Sequence, residues 1–156
     1  MTIQQFQQEK SIPEYVVVCN AMAQCFSNIT ECNDAKVQYS MSTNEIEVVF
    51  TNNKQEIVRM PINQLGDGYR SAMYLFADIA YRMAILNPQY LDKVLEETEG
   101  IVLIDEIELH LSPVLQQRII GDLLEIFPKV QFIVSTHATD VVNSVQSDSL
   151  IVLKEN

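Results

Sequence analysis

Hydrophobic positions along this chain change period more than once, and the changes divide it. From Ile12 to Ile29, Val17, Ala21, Gln24 and Cys25 recur at helical spacing, with Pro13 in the first turn where its missing N–H is tolerated. The run Val16-Val17-Val18 would also suit a strand, but the longer pattern predicts a helix. Next come three short strand-like runs, Val37–Met41, Glu45–Thr51 and Gln55–Met60. Ser42-Thr43-Asn44 and Asn52-Asn53-Lys54 separate them as turn-forming clusters, so a small antiparallel meander is expected. From Gly68 to Leu86 the helical period returns, with Ala72, Phe76, Ile79, Ala80 and Met83 on one face. Asn87-Pro88 stops it, because proline restricts the residue before it. Tyr90–Glu97 reads as a further short helix.

The remaining third has a different texture. Ile101–Ile104 shows no polar alternation, as expected of a strand covered on both faces in a parallel sheet. Ser112-Pro113 caps a helix predicted to run to about Phe127, Val130–Val134 is a second continuous apolar strand, Ala138–Val145 a short helix, and Leu150–Leu153 a third strand. This β-α-β-α-β order, joined by right-handed crossovers, makes the strands parallel and sets the ends after Ile104 and Val134 on one edge of the sheet. The expected architecture is α/β and forms a single unit over residues 1–156. Its parts are an N-terminal helical segment (1–36), short strands (37–64), a glycine loop with helices (65–100) and the βαβ core (101–156).

Composition narrows the function. With 156 residues, 47% of them hydrophobic, the chain can bury a core. The stretch Ala72–Leu86 is interrupted by Asp78 and Arg82 and is too short to span a bilayer, so no membrane segment is expected. Gln4, Gln5, Gln7 and Gln8 stand where a secretory signal would need a basic region and an apolar core, so a cytoplasmic location is expected. Cys19, Cys25 and Cys32 are odd in number and lie along one predicted helix, six or seven residues apart, which suits reduced thiols. A net charge of −11 argues against direct nucleic-acid binding by this segment. It also means that any nucleotide triphosphate must arrive with a divalent cation to bridge the repulsion.

Three stretches carry candidate chemistry. The apolar run Ile101–Ile104 delivers two adjacent carboxylates, Asp105 and Glu106, with no cation beside them. A hard cation such as Mg²⁺ prefers oxygen ligands and keeps several of its waters, so Asp105 suits metal support while Glu106, pointing elsewhere, suits proton acceptance from a water. An aspartate here could equally cap the following turn. His137, closing Ser135-Thr136-His137 after the second strand, is placed to donate to a terminal phosphate. His110 reads as structural. Leu65-Gly66-Asp67-Gly68 leads into a long helix, where Gly66 and Gly68 allow close backbone approach and the helix terminus favours an anion; the alternative is an ordinary loop with Asp67 as N-cap. Arg70 is suited either to phosphate or to a neighbouring carboxylate.

Together these residues resemble the SMC/RecF/OLD-like branch of ABC-type ATPases, the AAA family ATPases. Leu65–Tyr69 looks like a variant of the signature, Ile101–Glu106 like Walker B, Glu108–Pro113 like the D-loop segment and Ser135–His137 like the switch-histidine loop. The resemblance covers roughly Val37–Leu153. It implies a P-loop NTPase-like fold and ATP held with Mg²⁺ in a head-to-tail dimer. Asp105 would support Mg²⁺, Glu106 and His137 would be catalytic, and Gly66, Asp67, Gly68 and Arg70 would reach the partner's γ-phosphate. Gly66 stands where the common signature has Ser, and Ser112 where many relatives have a second His. No GxxxxGK[ST] occurs in the chain. The expectation is therefore the C-terminal part of an ATPase that is inactive alone, with a homodimer or the missing P-loop half as partner and an exposed sheet edge where further strands would pair. A DNA-related role belongs to the full protein. The alternatives are a non-catalytic interaction module and a metal-dependent phosphodiesterase.

Overall fold

A computed structural model describes residues 13–153. Two long helices form its spine: α1 (Pro13–Thr30) and α2 (Asp67–Leu86). Val17, Ala21, Met22, Cys25 and Phe26 of the first meet Ala72, Met73, Phe76, Ile79, Ala80 and Met83 of the second in one buried cluster. The small residues Ala21, Ala72 and Ala80 are fully covered, as close helix approach requires. The predicted start of α1 at Ile12 lies outside the described residues. Cys32 falls beyond the end of α1, and all three cysteines are free.

The meander forms as its turn clusters predict. β1 (Lys36–Ser40), β2 (Glu45–Thr51) and β3 (Ile57–Pro61) pair antiparallel in the order β1-β2-β3. Val37 and Val48 are register partners, and their side chains are buried. The meander is fixed to α1 by Phe26 against Phe50, ring centroids 5.1 Å apart, and by the Tyr39 N–H donating to the Tyr15 hydroxyl at 2.7 Å. A 3-10 turn, Ile62–Gln64, carries the chain into α2.

After α2 the segment expected as one helix over 90–97 is a 3-10 run, Pro88–Lys93, followed by α3 (Val94–Glu97). Leu91, at φ 50°, kinks the 3-10 run from within. β4 (Gly100–Ile104) and β5 (Val130–Val134) then pair in parallel, Gly100 opposite Val130 through Ile104 opposite Val134. Between them the single helix expected from Pro113 to Phe127 is split into α4 (Pro113–Gln116) and α5 (Ile119–Ile126). The bend at Arg118, φ −119°, separates Leu115, which faces α2 at Gly68, from Ile119, Leu123 and Ile126, which enter the main core. Phe127 links the layers, its ring 5.7 Å from Phe76 and 6.2 Å from Phe132. α6 (Thr139–Asn143) follows β5.

Two expectations about this sheet change. It is covered on one face only: Val102, Ile104, Phe132 and Val134 pack on the core, whereas Ile101 and Leu103 on the other face stand 65% and 76% exposed. Leu150–Leu153 forms no strand. No described neighbour offers it a ladder, and Ile151, Val152 and Leu153 are exposed. The sheet thus has two strands and unpaired outer edges among the described residues.

Candidate functional site

The parallel register decides where the polar residues go. Ile104 and Val134 are partners, so the next residues, Asp105 and Ser135, emerge side by side at the carboxyl ends of β4 and β5. The backbone carries the pairing one step further, with Ser135 N–H donating to Ile104 O at 2.9 Å and Ile107 N–H to Ser135 O at 3.2 Å. The Ser135 hydroxyl donates to Asp105 Oδ1 and accepts the Glu106 N–H at 2.9 Å. One hydroxyl therefore fixes both members of the acidic doublet. Asp105, Glu106 and His137 are all exposed on this rim. Neither carboxylate of the doublet makes an ion pair among the described residues.

The turn after the doublet is tight. Glu106 has φ 49° and His110 φ 64°, left-handed values uncommon outside glycine. Leu109 N–H donates to Glu106 O and Leu111 N–H to Glu108 O, each at 2.9 Å. Ile107 and Leu111 anchor the turn in the core. The fold brings Glu108 back toward β5, where its Oε1 accepts the His137 N–H at 2.8 Å. Its Oε2 is closed off without a hydrogen-bond partner. Burial raises the Glu108 pKa, but interaction with the Thr136 hydroxyl and the bond from the His137 amide outweigh it and hold the carboxyl below its ordinary value. Thr136 Oγ1 accepts the Ala138 N–H at 3.0 Å, completing the loop into α6.

The glycine loop lies beside this turn. A Cβ on Gly68 would come 3.0 Å from Leu115 Cδ1 and 3.4 Å from His110 O, so the glycine lets α2 sit against the 110–115 segment. A Cβ on Gly66 would meet Tyr69 Cδ2 at 3.7 Å, an ordinary contact, and φ is −60°, so neither packing nor backbone conformation demands glycine there. Gly66, and not Asp67, is the N-cap, without a side-chain cap bond. Asp67 is the first helical residue and pairs with Arg70. Arg70 also donates to Asn63 O at 3.0 Å, so its guanidinium is engaged within the chain.

Residues 6–143 match the family model described as AAA domain, putative AbiEii toxin, Type IV TA system. The chain belongs to this AAA-domain family. Among proteins similar to it is the Retron Ec83 probable ATPase of Escherichia coli, 42% identical over 97 residues, covering 62% of this chain and 18% of that protein. Another is the Retron Vc95 probable ATPase of Vibrio cholerae serotype O1 biovar El Tor, 41% identical over 113 residues, covering 72% of this chain and 21% of that protein. The chain thus matches about a fifth of the length of either relative. A solved structure reported under ATP-driven dimerization and DNA stimulated activation of SMC ATPases superposes with a TM-score of 0.52 at 18% identity, covering 83% of this chain and 72% of that one. The fold is that of an SMC-like, AAA-family ATPase.

Within that family fold the rim carries Asp105, Glu106 and His137, while Gly66, Asp67, Gly68 and Arg70 sit at the start of α2, with Gly68 against the 110–115 segment. Ser135 and Glu108 also build the site, though the sequence singles them out only within longer motifs, Ser135-Thr136-His137 and Glu108–Pro113. Their signal is positional: a hydroxyl one residue beyond β5 and a carboxylate two residues beyond Glu106 reach across the two strand ends. No described helix is long and apolar enough to cross a membrane.

Proposed function

We propose that this chain is the acidic, water-activating part of an ATP-hydrolysing module of the ABC/SMC type, working with a P-loop supplied outside it. One observation carries the reading: the parallel register sets an unpaired Asp-Glu doublet and a histidine loop on one open rim, tied together through Ser135. The described residues contain no group of three or more His, Cys, Asp or Glu able to hold a metal. A single oriented carboxylate nevertheless fits Mg²⁺ that arrives on a nucleotide, because that ion is commonly held by one or two carboxylates plus phosphates and water. When bound, it would neutralise charge on the phosphates. Asp105 would support it, with the Ser135 hydroxyl fixing which carboxylate oxygen is offered.

Glu106 then orients the attacking water and accepts its proton, while His137 donates to the γ-phosphate. Gly66 and Gly68 at the start of α2 present backbone N–H groups to the nucleotide of a partner head, with Asp67 and Arg70 beside them. Arg70 would have to release Asp67 to reach phosphate. The partner is a second head or the P-loop half of the same ATPase, the setting is cytoplasmic, and any DNA-related or defence role belongs to the assembled protein. The missing GxxxxGK[ST] favours a second reading for the isolated chain, a non-catalytic interaction module that keeps the fold. The absence of a three-ligand metal group among the described residues speaks against a phosphodiesterase.

The test is an ATPase assembled with its P-loop portion. Glu106→Gln there should retain Mg-ATP binding and lower turnover roughly a hundredfold or more. Unchanged turnover would remove Glu106 from the water-handling role, and absence of Mg-ATP binding by the assembled wild type would favour the interaction module.

A further inference from the structure

We propose that Glu108 is a positioning residue that holds the His137 loop against the acidic rim through its side-chain reach. The inference rests on the ATP-site reading for what His137 does, and on the geometry alone for what Glu108 does. β5 ends at Val134, and α6 begins only at Thr139, so no regular ladder fixes the main chain at His137. The Glu108 carboxylate supplies the missing acceptor at 2.8 Å. That carboxylate is itself held by the doubled turn whose ends, Glu106 and His110, have left-handed backbone, and whose Ile107 and Leu111 are buried.

An ordinary surface glutamate would leave both oxygens in water. Here Oε2 is shut away from water, and the carboxylate instead faces the Thr136 hydroxyl and the His137 amide. The bond also joins two segments 29 residues apart that otherwise touch at the rim through Ser135. Ser135 fixes Asp105 and Glu106, and Glu108 fixes His137. The two clasps interlock, because Glu108 leaves the turn that Glu106 enters. Displacement of one side of the rim is therefore transmitted to the other.

Hydrogen exchange of backbone amides in the 156-residue chain, read by NMR, tests this. Glu108→Gln keeps the reach and an acceptor oxygen, so the His137 amide should stay protected. Glu108→Asp keeps the charge but loses a methylene of reach, and Glu108→Ala loses both. In these two the His137 amide should exchange roughly tenfold faster or more, while the β4–β5 ladder amides hold their rates. Equal protection in all three variants, or equal acceleration throughout the ladder, overturns the proposal. If Glu108→Ala does not fold, the Gln and Asp variants decide between reach and charge. A parallel titration with Mn²⁺ alone should broaden the His137 ring signals in the wild type and not in Asp105→Asn. Loss of that broadening in wild type with the exchange pattern intact would overturn the metal-rim reading and leave the clasp supported.

Discussion

Glu106 has a left-handed backbone that an L-residue adopts at a cost of roughly 1–2 kcal/mol. Its N–H is taken by Ser135 Oγ and its carbonyl by Leu109, so the conformation is imposed from both sides, while its side chain stays exposed and without a described partner. Among the described residues none pairs with that carboxylate. Glu106→Gly should therefore stabilise the protein by about 0.5–1 kcal/mol, the relief of left-handed strain less the extra unfolded-state freedom of glycine. Urea denaturation reads the difference directly. A loss of stability would mean that the Glu106 side chain makes a supporting contact, and its place as a functional expense would lapse.

Among the elements, the meander is clasped to α1 by an exposed carboxylate. Asp34 accepts the Thr51 N–H at 3.1 Å, the Thr51 hydroxyl, and the Cys32 thiol at 3.0 Å, binding the α1–β1 connection to the end of β2. These hydrogen bonds, the Thr51 hydroxyl first, lower its pKa from 3.8 to about 2. A depressed carboxylate contributes stability above its unfolded value and loses it as pH falls through the folded one. The wild type should therefore lose stability between about pH 4 and pH 2 more steeply than Asp34→Asn, measured by thermal unfolding across that window. Parallel curves would show that Asp34 carries none of the acid sensitivity.

Legibility also differed among elements, for physical reasons. The meander was readable because its turn clusters punctuate the chain locally, and α2 because Ala72, Phe76 and Met83 repeat over about three turns. β4 was readable as a strand, but its environment was not: Ile101 and Leu103 show what surface they would accept, and periodicity cannot say whether cover is supplied. The bend at Arg118 was hidden because Leu115 and Ile119 keep helical spacing while facing different neighbours. At the rim the doublet and His137 could be placed from strand order. The acceptor role of Glu108 could not, since it depends on a turn that doubles back through left-handed residues.

At the scale of the whole molecule, the open face of the β4–β5 sheet is the feature that most separates this chain from a self-contained domain. Ile101, Leu103 and Ile133 are half or more exposed on one side, with Ile151, Val152 and Leu153 nearby in sequence order after α6 and also bare. A net charge of −11 keeps such molecules apart, but apolar surface beside unpaired strand edges favours association once that repulsion is screened. Self-association should rise with salt. Ile101→Lys with Leu103→Lys should suppress it, with little change in unfolding free energy, about 0.5 kcal/mol or less, because neither side chain has cover to lose. Phe132→Lys on the opposite face should cost far more stability, since it would set an ammonium against Phe127 in place of a ring packed on the core. Sedimentation at low and high salt, paired with denaturation of each variant, distinguishes the faces. If the double lysine variant unfolds, that face is already covered within the chain, and its exposure cannot be what drives association.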